Sequence, residues 1–325
     1  MRALATLPKA HLHLHLEGGM RPKTLQELAD HYGMPVPETR GFGSFVAFAD
    51  MYLAACQVLR TPDDLRRLID ETADDALADG AVWVEPAFYA PFHVDRLGPV
   101  EGIVELVLDA AADAARRTGV GMGIMLNADR TADPVYAVAQ ARLAARYADR
   151  GIVSFGLANN ETGFPPAPFA EAYAIAKDAG LLSTPHAGEL DGPDSVRDAL
   201  DLLHADRIQH GIRAIEEPAL VERLAAERVC LDVCPSSNLA LGVVPSLAEH
   251  PLPQLLDAGV PCSLNGDDPL LFGPGLLDEY ELVREGMGVG DEQLAAIAKA
   301  SIESSGAPAD VKARGVTGVE AWLAA

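Results

Sequence analysis

Ala10-His11-Leu12-His13-Leu14-His15-Leu16-Glu17-Gly18 is the stretch on which the fold turns. Histidine and leucine alternate strictly, which is the period of a β-strand whose successive side chains take opposite faces. The alternation predicts His11, His13 and His15 on one face, with Leu12, Leu14 and Leu16 on the other. Same-face residues stand roughly 6.5–7 Å apart along a strand, so two imidazoles can converge on one cation. Three cannot, and His11 is expected to sit deepest. A lone histidine on a core strand is ordinarily packed and hydrogen-bonded. The pattern acquires chemical meaning only from partners elsewhere in the chain.

Working outward, short apolar runs recur at 10–16, 81–88, 120–126, 152–158, 181–186, 207–210, 229–234 and 260–265. Amphipathic helical stretches separate most of them, at 61–79, 101–118, 133–149, 168–179, 195–203, 218–227 and 253–258. Thr61-Pro62 supplies an N-cap hydroxyl and a proline at the first helical position. Leu65, Leu68, Ile69, Thr72 and Ala76 then follow a period near 3.6. Eight strand–helix units imply an α/β fold, a (β/α)8 TIM barrel of parallel strands. The whole chain, 1–325, reads as one domain. Residues 21–55 break the repeat, with extra helices expected at 24–32 and 44–58, over the mouth of the barrel. Phe45, Val46, Phe48, Met51 and Tyr52 would form an apolar gate there; packing on the rim is the equal alternative. Further helices are expected at 291–304 and 317–324.

Composition narrows the function. The 325 residues carry a formal net charge of −23 and are 49% hydrophobic. An acidic surface of that size repels phosphate backbones, so no nucleic-acid partner is expected. No apolar run reaches the roughly 18 residues of a membrane span, and no leader peptide is legible. Cys56, Cys230, Cys234 and Cys262 form no CxxC pair and read as buried thiols of a cytoplasmic protein. The oligomeric state is not legible.

In a barrel of this kind, active sites gather at the C-terminal ends of the strands. His13 and His15, His186-Ala-Gly-Glu189, Gln209-His210-Gly211 and Asn265-Gly266-Asp267-Asp268-Pro269 all fall at such ends. His186 is the natural third ligand and Asp267 the natural carboxylate. A histidine–carboxylate set without cysteine suits zinc, with nickel, cobalt or iron(II) as alternatives. Glu189 follows His186 by three residues and is suited to donate a proton from a desolvated pocket. His210 and Asp268 are expected to handle the metal-bound water. Taken singly, Asp267-Asp268-Pro269 is a turn and His210 a structural histidine.

With those residues in place, the chain resembles the adenosine deaminase family of metal-dependent amidohydrolases. The marks are His13-Leu-His15-Leu-Glu17-Gly18, His186–Glu189, His210-Gly211, Cys234-Pro235-Ser236-Ser237-Asn238 and Ser263–Pro269, in the family's order and over nearly the whole chain. The resemblance implies one zinc per chain, held by His13, His15, His186 and Asp267. It implies Glu189 as proton donor to purine N1, with His210 and Asp268 orienting and deprotonating the water. Hydroxide then adds to C6 and ammonia leaves. Expected substrate contacts are His15, Glu17, Asn159, Gly188 and Asp268. The expected reaction is adenosine or 2′-deoxyadenosine to inosine or 2′-deoxyinosine. Adenine, aminodeoxyfutalosine or a modified adenosine is the alternative substrate.

Three departures bear on the substrate. Glu17 stands where the family has an aspartate that contacts the ribose 5′-hydroxyl. Asn159 stands where it has a purine-contacting glycine, and Gly266 replaces a threonine. A binuclear amidohydrolase would carry a bridging lysine on the fourth or fifth strand, and 152–158 and 181–186 have none. A non-enzymatic descendant would have lost a ligand or Glu189, and none is lost.

Overall fold

The computed structural model describes residues 2–325. Nine strands lie in it: β1 (Lys9–His15), β2 (Ala81–Phe88), β3 (Gly121–Met122), β4 (Ile124–Asp129), β5 (Ile152–Ala158), β6 (Leu182–Ala187), β7 (Arg207–His210), β8 (Cys230–Val233) and β9 (Cys262–Leu264). All pairings are parallel, in the order β1-β2-β4-β5-β6-β7-β8-β9, with β3 beside β2. Helices surround the strands, so the fold is a (β/α)8 barrel.

The expected third run, 120–126, is two strands. They break at Gly123, where a Cβ would come within 2.7 Å of both Trp83 and Val153. Only glycine fits that gap, and its N–H reaches back to the Val84 carbonyl at 3.0 Å.

The barrel closes at its mouth. Leu14 bridges to Asp267, with His15 N donating to Asp267 O at 2.9 Å and Asp267 N to His13 O at 3.1 Å. Asn265 Oδ1 accepts from both Leu12 N (2.7 Å) and His13 N (3.0 Å). The backbone of the candidate ligands is thus itself the closure.

The alternation in β1 holds for His13 and His15 and fails at His11. Pairing with β2 slips between His11 and Leu14, the signature of a bulge. His11 therefore shares a separate cavity with Leu14, and its Nε2 accepts from Gly266 N at 3.0 Å.

Helix Pro62–Ala78 starts as its sequence demands. The Thr61 hydroxyl accepts from Asp64 N and the Asp64 carboxylate from Thr61 N, behind Pro62. Leu65, Leu68, Ile69, Thr72 and Ala76 are its buried stripe. Helices Pro22–His31 and Phe45–Cys56 form the insertion after β1. The C-terminal helix begins at Ala309, well before the expected 317. Gly315 and Gly318 lie inside it as contact points: a Cβ there would meet Ile302 at 3.0 Å and Pro8 at 2.8 Å. Helix Leu276–Gly286 was not legible as such.

Candidate metal and catalytic site

Parallel strands bring residues from β1, β6, β7 and the turn after β9 to one point. The ligand atoms of His13, His186, His210 and Asp267 all lie within 4.8 Å of one another, and all four residues are buried. His15, Asp267 and Asp268 form an adjoining trio. His13 Nε2 is 3.2 Å from His186 Nε2 and 3.2 Å from Asp267 Oδ1. His15 Nε2 reaches the same Oδ1 at 3.4 Å. His210 Nε2 stands further off, 3.8 Å from Asp267 Oδ2 and 3.4 Å from Glu189 Oε1.

The donor set fits a cation. His13 Nδ1 faces the Asp232 carbonyl at 3.2 Å. Donating there leaves Nε2 as a lone pair aimed into the cluster, the usual way a ligating imidazole is oriented. Burial, then the neighbouring rings, holds His186 well below the ordinary histidine range. Burial likewise lowers His15, and lowers His210 to about 3. Burial works against an ionised Asp267, but the His13, His210 and His15 rings outweigh it and keep its carboxyl well below the usual range. Neutral imidazoles around a carboxylate are what a divalent ion requires.

The backbone is strained where the chemistry lies. Asp267 has φ 57° and His210 φ 63°. Left-handed non-glycine residues cost about 1–3 kcal/mol each and persist where surroundings over-determine them. Here the barrel closure does so for Asp267.

The two further acids of the site, Glu189 and Asp268, share one environment. Burial, then Asp267 and Glu161, raises Glu189 well above the ordinary glutamate range. Burial, then Asp267, does the same for Asp268. Both Asp268 oxygens are buried without a hydrogen-bond partner among the described residues.

One cavity opens on this cluster. His15, His186, Glu189, Asp267 and Asp268 form its floor, and Ala128, Asp129, Ala158 and Asn159 line one wall. Phe45, Phe48, Ala49, Tyr52 and Leu53 of the inserted helix cover it. Phe45, Phe48 and Tyr52 of the expected gate thus face the cavity. Val46 is 64% exposed, and Met51 is not in the lining.

Two expected contacts are placed elsewhere. Glu17 is 1% exposed, its Oε1 held by His93 Nε2 at 2.5 Å and its Oε2 by the Tyr52 hydroxyl at 2.7 Å. With both oxygens so engaged, Glu17 is not among the residues lining the cavity. Gly188 is also off the wall: its N–H donates to Glu161 Oε1 at 2.6 Å and its carbonyl accepts from Arg213 N at 3.0 Å. Its φ of +68° is what the turn demands. Asn159 does line the cavity. It takes the positive φ (82°) that a glycine would have supplied, a conformation asparagine tolerates. Its amide donates to Asp129 Oδ1 at 3.0 Å.

Sequence reasoning missed Glu161, Asp129, Glu17's partner His93, and the pair Asn238 and His250. Glu161 is 1% exposed and accepts from Gly188, Glu189, Leu190 and Asp191 N–H groups and from the Ser195 hydroxyl. It fastens the turn that carries Glu189. The available signal was Glu161 itself, an acid at the end of a core strand.

Fold and cluster together define a barrel hydrolase built around a candidate metal site. The comparisons narrow the class. Residues 8–322 match the family described as adenosine deaminase, and the chain belongs to that family. A Streptomyces coelicolor protein provisionally named adenosine/adenine deaminase is 47% identical over 100% of this chain and 99% of its own length. The solved adenine deaminase of Arthrobacter aurescens is similar at TM-score 0.92 and 34% identity, covering 98% of this chain and 99% of that one. An amidohydrolase from Burkholderia ambifaria, solved with bound zinc, is similar at TM-score 0.89 and 27% identity, covering 99% and 94%.

Proposed function

We propose that this enzyme hydrolyses the 6-amino group of a purine, releasing ammonia and the 6-oxopurine, with one zinc ion per chain. His13, His15, His186 and Asp267 would hold the ion. Zinc bound there lowers the pKa of a bound water and makes hydroxide available near neutrality.

The chain's own residues do the rest. Glu189, kept protonated by burial, gives its proton to purine N1 and makes C6 electrophilic. Asp268 and His210 flank the attacking water and orient it, and Asp268 takes up its proton. Phe45, Phe48 and Tyr52 exclude bulk water from above. The observation that carries this reading is Glu189: a buried acid in the same cavity as His186, Asp267 and Asp268. We place the enzyme in the cytoplasm, where its four free, buried cysteines stay reduced.

Among 6-aminopurines the cavity favours the free base over the nucleoside that the family resemblance suggested. Glu17, the residue from which a sugar contact was expected, already has both oxygens engaged. Asp129 spends Oδ1 on Thr131 and Asn159, while its Oδ2 has no partner among the described residues. That oxygen can accept an N–H. The imidazole ring of free adenine carries one; that of a nucleoside does not.

The test is ammonia release by zinc-loaded protein from adenine, adenosine, 2′-deoxyadenosine and aminodeoxyfutalosine. Turnover of none of them sinks the deaminase reading. Adenosine turned over faster than adenine would keep that reading and overturn the preference for the base.

A further inference from the structure

Cys234-Pro235-Ser236-Ser237-Asn238 fits the family pattern without a task of its own. Asn238 has one. It is fully buried on helix Pro235–Ala240, directly behind His210. A directional chain of hydrogen bonds runs through it. Leu252 N–H donates to His250 Nδ1 at 3.1 Å. That nitrogen is therefore an acceptor, and a neutral imidazole carries its proton on the other one. His250 is 1% exposed, and burial lowers its pKa to about 4, so it is neutral near pH 7.

Its Nε2–H then donates to Asn238 Oδ1 at 3.2 Å. This orients the amide, whose NH2 group faces His210 Nδ1 at 3.3 Å. His210 Nδ1 accepts, so the His210 proton sits on Nε2. That is the atom pointing at Glu189 and Asp267. The first donor is a backbone amide, which cannot reverse. Every later link inherits its direction.

We propose that His250 and Asn238 are positioning residues that hold His210 in the Nε2–H tautomer. In this form His210 donates a hydrogen bond to the attacking oxygen and cannot take a proton there. Asp268, whose two oxygens have no partner, is left as the proton acceptor. That division of labour rests on the deaminase reading; the tautomer itself does not. The same chain explains why His210, though inside the four-residue cluster, is no metal ligand: its Nε2 has no lone pair to give.

The experiment is 15N NMR of histidine-labelled, zinc-saturated enzyme, read beside kcat and KM on the 6-aminopurine turned over fastest. Wild type is expected to show His210 protonated at Nε2 and free of metal. Asn238→Asp offers acceptors to both rings, and is expected to move the His210 proton to Nδ1. It should lower kcat about 10²-fold, the scale of losing one preorganised donor, with KM unchanged. His250→Gln keeps a donor toward Asn238 and is expected to retain the wild-type tautomer and most of kcat. His250→Leu should lose both. A purely structural role would lower the melting temperature without moving the tautomer. An Nδ1–H or zinc-bound His210 in wild type overturns the proposal, as does an Nε2–H signal that survives Asn238→Asp. Wild-type enzyme inert on every 6-aminopurine would instead remove the division of labour and leave the tautomer standing.

Discussion

The two ends of β7 bury charge in opposite ways. At its start Arg207 is fully buried and fully paired: Nη2 meets Glu85 Oε2 at 2.6 Å and Nε meets Asp232 Oδ2 at 2.6 Å. The remaining nitrogen of Arg207 and the second oxygens of both acids have partners too. Arg207 Nη1 donates to Ser304 O at 3.0 Å, Ser263 Oγ to Asp232 Oδ1 at 2.7 Å, and Trp83 Nε1 to Glu85 Oε1 at 2.8 Å. At its end His210 joins a cluster whose members are left short. Asp268 has no partner at either oxygen, and His186 has none at Nδ1. An unsatisfied buried polar group costs about 1–3 kcal/mol. A protein keeps several together only where something else completes them. The base of the barrel is therefore structure, and the mouth keeps polar groups for binding.

Four experiments test that contrast. The largest effect is expected at the mouth. Glu189→Gln should lower kcat about 10³-fold, since an amide cannot supply the proton. Zinc content and melting temperature should stay at wild-type values; near-normal turnover would remove Glu189 from its role.

Next comes the base. Arg207→Leu leaves Glu85 and Asp232 as uncompensated buried charges, and should cost about 3–5 kcal/mol in urea unfolding. A change under 1 kcal/mol would mean the paired cluster at the base does not stabilise the barrel.

The third concerns pH. The pKa of His250 is about 4 in the fold against an ordinary value of 6.5. A depressed folded-state pKa means that the unfolded chain takes the proton first as pH falls. Its stabilisation is therefore complete above pH 6.5 and is lost toward pH 4, by up to about 3 kcal/mol. The stability difference between wild type and His250→Gln should shift against wild type across that window. A pH-independent difference would contradict the burial argument.

The smallest effect is at Asp268. In chelator-treated protein, Asp268→Asn should raise stability by about 1 kcal/mol, because it removes an unpaired buried acid. Asp232→Asn at the base should lower it. If both fall alike, the mouth is not the unsatisfied end.

Much of this was legible in the chain. Ala81–Phe88 and Ile152–Ala158 match the expected strands residue for residue, because buried parallel strands are short unbroken apolar runs between helices of a different period. His13, His15, His186, Glu189, His210, Asp267 and Asp268 were legible as strand-end residues, and the barrel brings them together. What failed did so locally. His11 left the histidine face where the pairing of β1 with β2 slips, beside the Leu12 and His13 N–H groups that donate to Asn265, 253 and 252 positions away. Glu17 and Gly188 left the wall because His93, Tyr52 and Glu161 claim their polar groups.

Which elements form, and which residues stand at their ends, follows from the order of residues alone. Periodicity and strand polarity are properties of the chain's own backbone geometry. Tertiary structure decided which polar groups are already spent and which remain free. Glu17 and Asn159 differ from the family pattern equally plainly on paper, yet one is locked away and the other lines the cavity. The direction of a hydrogen bond, from Leu252 through His250 and Asn238 to His210, exists only once those four residues touch. A donor's proton goes where an acceptor waits, and only the folded chain puts one there.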